Sequence, residues 1–428
     1  MSVRTSAPES GPAVPATAVP VRRVTLAVTA AGLCSFALLY APQPLLPQLA
    51  EQYALDPGRA SLAISVATGA LAVAVLPLAA LSEIVGRKPV IVASVLVSAV
   101  LGLLLPLAPT FDALLVMRVL QGVAIAGFPG VAAAYLAERL GAAGVAGAVG
   151  AMVAGNTLGG LSGRLSVGFT TDALGWHGAL AVVGGIGLVC ALITATTLPG
   201  LARPATRPRL ADVGRGLLAA ASDRVLLAQY VVALVAMGSF VALYNVAGFR
   251  LTGDLGLHPA TASLVFLAYA GGAVASSRAG RLVARFGRVA TACAGLILTI
   301  AGAALTLPDS VPLVAAGFVV LTLGFFTAHS VASGWAAAEA PAAGRGQAGG
   351  LYNACYYLGS SVGGAAGAVL YGHAGWGGLV AAVAGALTIG ILAILSARRF
   401  GTARGEDSGL PSAGPATAPH GHAGAWLR

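Results

Sequence analysis

Runs of apolar residues recur along the whole chain, separated by short clusters of charge, proline and glycine, and they constrain this sequence more than any motif in it. A helix that crosses a bilayer needs about 20 predominantly apolar residues. The punctuation divides the chain into twelve such stretches, at residues 22–50, 60–82, 89–107, 112–138, 143–169, 176–198, 225–250, 259–281, 288–307, 311–338, 346–372 and 376–397. In hydrocarbon every backbone N–H and C=O must be satisfied internally, so stretches of this length are helices. Composition agrees: 9% of residues are charged, against about 25% in soluble domains, which excludes a soluble enzyme. The 59 glycines suit helices that approach closely in lipid, where packing drives association between helices. The sequence predicts an all-α membrane protein with twelve transmembrane helices.

Charge then sets orientation. With both termini cytoplasmic, Arg22, Arg23, Arg87, Lys88, Arg139, the arginines between residues 199 and 224, and Arg278, Arg281, Arg285 and Arg288 fall on one side, while Arg59 and Arg250 fall on the other. That is the positive-inside pattern of a plasma-membrane protein. It also accounts for the formal net charge of +10, so no nucleic-acid partner is expected. The longest connection, 199–224, is read as a cytoplasmic central loop between halves 22–198 and 225–397. Residues 1–21 and 398–428, rich in Pro, Ser, Ala and Gly, are expected to be disordered tails. His420 and His422 belong to that second tail, and no metal or cofactor is expected. Cys34, Cys190, Cys293 and Cys355 are widely spaced within apolar stretches and are read as packing residues. The bias toward Ala, Gly and Arg, with Lys88 the single lysine, suggests a bacterial gene.

The two halves resemble each other at an offset of about 200 to 204 residues. Ala137-Glu138 matches Ala338-Glu339, and Gly175-Trp176 matches Gly375-Trp376. Gly155-Asn156-Thr157-Leu158-Gly159-Gly160 is paired with Gly359-Ser360-Ser361-Val362-Gly363-Gly364. In order and at near-constant offset, these matches argue for duplication. Two pseudo-symmetric six-helix halves are an architecture of secondary transporters.

Between the second and third stretches the chain reads Ala79-Ala80-Leu81-Ser82-Glu83-Ile84-Val85-Gly86-Arg87-Lys88. This resembles the major facilitator superfamily loop signature G-x-L-a-D-r-x-G-r-K, with Ala79, Glu83 and Ile84 departing from it. Gly280-Arg281-Leu282-Val283-Ala284-Arg285-Phe286-Gly287-Arg288 repeats it in degraded form. Arg118-Val119-Leu120-Gln121-Gly122 resembles the family's R-x-x-q-G motif, and Gly155-Asn156 with Gly159-Gly160 its antiporter motif, Asn standing for Pro. Tyr40-Ala41-Pro42-Gln43-Pro44-Leu45-Leu46-Pro47 with Gly163-Arg164 is similar to the arabinose-efflux-permease-like, drug-proton antiporter branch.

The resemblance, which runs from about residue 22 to 397, implies a major facilitator fold whose halves rock by alternating access around a central site. The cargo is expected to be a drug, sugar or metabolite exported by a monomer at the expense of the proton gradient. It implies that Glu83, Gly86, Arg87, Lys88 and Glu138, with Arg285, Arg288 and Glu339 in the second half, form a conformational latch, Glu83 bearing on the opposite half. Arg118 is implied either in proton coupling or as the anchor of a polar network; about 9 Å into its helix at 1.5 Å per residue, it has room to snorkel.

Polar side chains within apolar stretches are the substrate-binding candidates: Gln43, Gln121, Asn156, Tyr244, Asn245, His329, Asn353 and Tyr356. Each offers hydrogen bonds where lipid offers none, and each is equally suited to bonding a neighbouring helix. Arg164, some 20 residues into its stretch, is read as an outer gate or snorkelling anchor with Asp172 as partner. No Asp or Glu lies at the centre of any stretch. The sequence also lacks H-E-x-x-H and G-x-x-x-x-G-K-[ST], which argues against an intramembrane metalloenzyme and an ATP-driven pump. An uncoupled uniporter, an uptake symporter, a channel and a non-transporting membrane sensor remain as alternatives.

Overall fold

The computed structural model describes residues 21–200, 210–340 and 344–407. Of the expected tails, residues 1–20 and 408–428, with His420 and His422, lie outside the described residues, as do the central arginines Arg203, Arg207 and Arg209. Helices follow one another as α1 (Val21–Tyr40), α2 (Leu46–Gln52), α3 (Pro57–Val85), α4 (Arg87–Leu104), α5 (Phe111–Ala126), α6 (Ala132–Thr197) and α7 (Leu210–Ser222). The second half holds α8 (Arg224–Phe249), α9 (Pro259–Ser263), α10 (Tyr269–Phe286), α11 (Arg288–Leu305), α12 (Val311–Glu339) and α13 (Arg345–Asp407). No strand occurs among the described residues.

Local chemistry sets the helix starts. The Asp56 carboxylate accepts from the Arg59 N–H at 2.9 Å ahead of Pro57, the Thr110 hydroxyl from Ala113 N–H at 3.1 Å, and the Asp223 carboxylate from Val225 and Leu226. Each fills donors that the first helical turn leaves orphaned. Pro42, Pro44 and Pro47 break the first apolar stretch after Tyr40, so α1 gives way to a short 3-10 turn and then α2.

Among the described residues nine helices are long and apolar enough to cross a membrane. Two of them, Gly147–Thr197 and Gly346–Arg398, have 51 and 53 residues. A straight helix of that length would extend about 75 Å, more than twice a hydrocarbon core of about 30 Å. Each is broken near its middle, at Gly175 with φ +63° and at Gly375 with φ +65°.

The duplication is visible in the backbone. α4 and α11 are both 18 residues long, and each follows a glycine at positive φ, Gly86 at +104° and Gly287 at +78°. Side chains rarely tolerate that conformation, so the loop signature keeps its glycine even in the degraded copy. The closest helix pairs also repeat. A Cβ on Gly155, Gly159 or Gly163 would overlap the backbone of Thr29, Leu33 or Ala37 in α1, and one on Gly359 or Gly363 would overlap Leu234 or Gly238 in α8. The kinks correct the register of the repeat: Gly175 and Gly375 each lie 16 residues beyond Gly159 and Gly359 on one helix, so Gly359 stands where Gly159 stands, an offset of 200 rather than 204. Small residues recurring every four positions make a one-turn slip invisible in sequence, whereas the shared kink admits one register. In the corrected register Asn156 corresponds to Tyr356, and Arg164 to Gly364.

Two boundaries also change. Half of the expected central loop is α7, and α13 continues through Asp407 into the expected tail.

Candidate functional site

A cavity of about 300 Å³ lies between the halves. The first half contributes Phe36 and Tyr40 from α1 and Asn156, Thr157, Gly160 and Arg164 from α6; the second contributes Phe240 from α8, Tyr269 from α10, Phe326 and His329 from α12 and Tyr356 from α13. The size is at the small end of ligand sites, and the lining, mostly apolar with a few convergent polar groups, is typical of them.

Arg164 is the deepest polar group of the cavity, 1% exposed. Its Nε donates to Gln43 Oε1 at 2.6 Å, one terminal nitrogen to the Gly160 carbonyl at 2.7 Å and the other to the Tyr269 hydroxyl at 3.2 Å. The guanidinium carbon lies 4.2 Å from the Tyr40 ring centroid and 4.4 Å from that of Tyr269. Gln43 in turn donates from Nε2 to Asn245 Oδ1 at 2.7 Å. Arg164, Gln43, Asn245 and Tyr269 therefore join the halves at one end of the cavity. Exposure rises away from this junction: Met152, Thr157, Asn353 and Tyr356 are only half-buried, toward the end that carries Arg87.

Arg164 does not snorkel and does not pair with Asp172. Asp172 instead faces the His258 imidazole, 3.6 Å away, and among the described residues no carboxylate lies within ion-pairing distance of Arg164. Counting residues along a helix gave its depth but not the face it presents, and that face is turned to the interior.

Of the eight substrate candidates, Asn156, His329, Asn353 and Tyr356 line the cavity. Tyr352 hydroxyl lies 3.0 Å from His329 Nδ1, and the imidazole stacks on Phe325. Gln43 and Asn245 stand behind Arg164 rather than in the lining. Gln121 and Tyr244 are fully buried within their own halves, Tyr244 bonded to Thr322 at 2.8 Å. Tyr40, Phe240, Tyr269 and Phe326 were missed, because an aromatic ring in an apolar helix carries no sequence mark of the face it occupies.

Arg118 does not snorkel. It is wholly buried and donates to the carbonyls of Ala63, at 2.7 Å, Leu38, at 3.1 Å, and Leu39, and to the Gln121 amide oxygen. Gln121 Nε2 passes the network to the Ser98 carbonyl at 3.0 Å. One guanidinium thus ties α1, α3 and α5, with α4 joined through Gln121. Among the described residues it too has no carboxylate partner.

At the opposite end from the Gln43 junction, Arg87 donates to Glu138 Oε1 at 3.0 and 3.2 Å and to the Ser82 hydroxyl at 2.6 Å, with Glu83 at 3.6 Å. Glu83 was expected to bear on the other half; here it faces Arg87 within its own half. Gly86 makes the turn that presents Arg87, and Lys88 lies beside it, half-buried. In the second half the guanidinium of Arg288 lies 5.0 Å from the Trp335 ring and that of Arg285 5.1 Å from Phe286. Glu339 closes α12.

A family model described as Major Facilitator Superfamily matches residues 28–252 and 229–423. An uncharacterized MFS-type transporter of Bacillus subtilis, YybF, is 36% identical over 361 residues, covering 84% of this chain and 89% of the relative. The inner membrane transport protein YnfM of Escherichia coli is 38% identical over 374 residues, covering 86% and 89%. Among solved structures, a single-residue mutant of the nucleoside transporter NupG superposes with TM-score 0.72 at 15% identity, covering 87% of this chain and 99% of that one. That likeness concerns the fold.

Proposed function

Since the chain belongs to the major facilitator superfamily, we propose that it is a secondary carrier in which the two halves rock about the Arg164 cavity and export a small molecule at the expense of the proton gradient. That it is a multi-pass transporter of the bacterial inner membrane, and not an enzyme, follows from the family, its relatives and its apolar helices. Direction, coupling and alternating access are the proposal. The observation that carries it is the cavity itself: both halves line it, and buried polar bonds between them close one end while exposure rises toward the other. A permanent pore has no need of a closed end, whereas a carrier must have one in each of its states.

Twelve crossings and two cytoplasmic termini fit this reading. Among the described residues nine apolar helices, two of them long enough to cross twice, support this count, with α5 continued beyond the turn at Gly127–Val131 as the remaining crossing. For coupling, the cavity lining contains no carboxylate among the described residues, so of these His329 with Tyr352 behind it is the group suited to carry a proton.

The test is flux in sealed proteoliposomes under an imposed pH gradient, screened over drugs, sugars and organic acids with His329→Gln beside the wild type. Saturable flux with proton movement, lost in the variant, supports the proposal. Saturable flux without proton movement points to a uniporter, flux that never saturates to a channel, and binding without flux to a sensor.

A further inference from the structure

We infer that the cavity recognises a small organic monoanion, its carboxylate seated on Arg164 and its apolar or aromatic body lying against Phe240, Phe326 and Tyr356. This rests on the carrier reading and names the substrate class of the same site.

The first ground is charge. Arg164 is 1% exposed, lies in a cavity between apolar helices and, among the described residues, faces no carboxylate. A cation held away from water is costly unless it is paired. Its present partners, Gln43 Oε1, the Gly160 carbonyl and the Tyr269 hydroxyl, are all neutral. The second ground is valence in hydrogen bonds. A guanidinium has five N–H donors, and these three bonds leave two over at the terminal nitrogens, on a side chain that lines the cavity. Two N–H groups in a planar fork are the arrangement that takes a carboxylate in bidentate fashion.

The third ground is asymmetry between the halves. The position equivalent to Arg164 in the second half is Gly364, so among the described residues the cavity has one such cation rather than a facing pair. The second half supplies rings instead: Phe240 stacks on Phe325 at 4.0 Å between centroids and meets Phe326 edge-on at 5.9 Å, and Tyr356 lies 4.7 Å from His329. A single positive charge beside an aromatic wall balances one negative charge attached to an apolar body. A dianion would leave one charge unbalanced, and a cation would meet like charge. The cavity of about 300 Å³ suits a molecule of one ring and a short side chain.

The anion also meets the gate. The Arg164 bond to Tyr269, at 3.2 Å the longest of its three, crosses between the halves. A carboxylate that takes the terminal nitrogens competes with this bond, so binding loosens this junction.

The experiment uses the purified full chain in lipid nanodiscs and a matched series on one scaffold: 3-phenylpropionate, its amide, and 3-phenylpropylamine. Binding is read by calorimetry and by the shift in thermal unfolding, with Arg164→Gln and Arg164→Lys beside the wild type. The acid is expected to bind at least about tenfold tighter than the amide, the scale of a charge-assisted hydrogen bond, and the amine not to bind. Arg164→Gln should erase the preference and Arg164→Lys retain part of it. The wild-type series alone decides the matter if the variants fail to fold. Equal binding of acid and amide, acid binding unaffected by Arg164→Gln in a folded variant, or no binding of the acid overturns the inference. Flux of the acid in proteoliposomes separates the two readings. Anion binding without flux keeps the site and removes the carrier, whereas saturable flux of neutral compounds alone keeps the carrier and removes the anion.

Discussion

Gln43 and Asn245, 202 residues apart, meet through a 2.7 Å hydrogen bond that closes one end of the interior cavity, and the same Gln43 amide accepts from Arg164. Both side chains are about 2% exposed or less. The amide uses its carbonyl toward Arg164 in its own half and its NH₂ toward Asn245 in the other, so this glutamine links the Arg164 network to the second half. Gln43→Leu is expected to cost about 1–3 kcal/mol, since it leaves the Asn245 carbonyl unpaired in the interior. It should also raise labelling of Asn353→Cys, in a chain cleared of its native cysteines, by an impermeant maleimide applied from the Arg59 side. Unchanged labelling would assign the seal to apolar packing instead.

Arg118 is expected to serve structure before transport. Its guanidinium satisfies the carbonyls of Leu38, Leu39 and Ala63 at once, so Arg118→Ala strands several buried acceptors. We expect a loss on the order of 3–5 kcal/mol, read as a lower unfolding temperature and a poor yield of monodisperse protein. Arg118→Lys should recover part of this stability. A well-folded Arg118→Ala with abolished proton flux would instead assign the residue to coupling.

The Arg87–Glu138 pair, with side chains 14% and 40% exposed, is expected to act through a difference between conformations. A double-mutant cycle over Arg87→Ala and Glu138→Ala should give a coupling of about 0.5 kcal/mol in stability and a larger effect on transport rate. The charge-reversed pair Arg87→Glu with Glu138→Arg should restore part of the rate. A stability loss as large as the transport loss would make the pair a simple staple.

Symmetry-related glycines should divide by contact, not by position in the repeat. Gly159→Ala and Gly359→Ala push a methyl group into the backbone of Leu33 and Leu234 and should both lower the unfolding temperature. Gly185→Ala and Gly385→Ala, where a Cβ meets nothing within 4 Å, should be neutral or stabilising by about 0.5–1 kcal/mol. Equal effects at all four positions would contradict the packing described here.

Much of this protein is written locally in its chain. The apolar stretches, the glycine at 86 with its echo at 287, and the matched Gly-Trp pairs at 175 and 375 suffice for a duplicated helical membrane protein of this family, because hydropathy and turn chemistry act over a few residues. Polarity within apolar stretches likewise marked His329, Asn156, Asn353 and Tyr356, which do line the cavity. Helix faces and distant partners were decided only by the tertiary structure. It turned Arg164 inward, set Gln121 and Tyr244 inside their own halves, slid the repeat by one turn, and brought Gln43 to Asn245. In lipid an apolar residue is at home on every face of a helix, so hydropathy holds no record of rotation or partner; these follow from which small and polar side chains fit against the neighbouring helix.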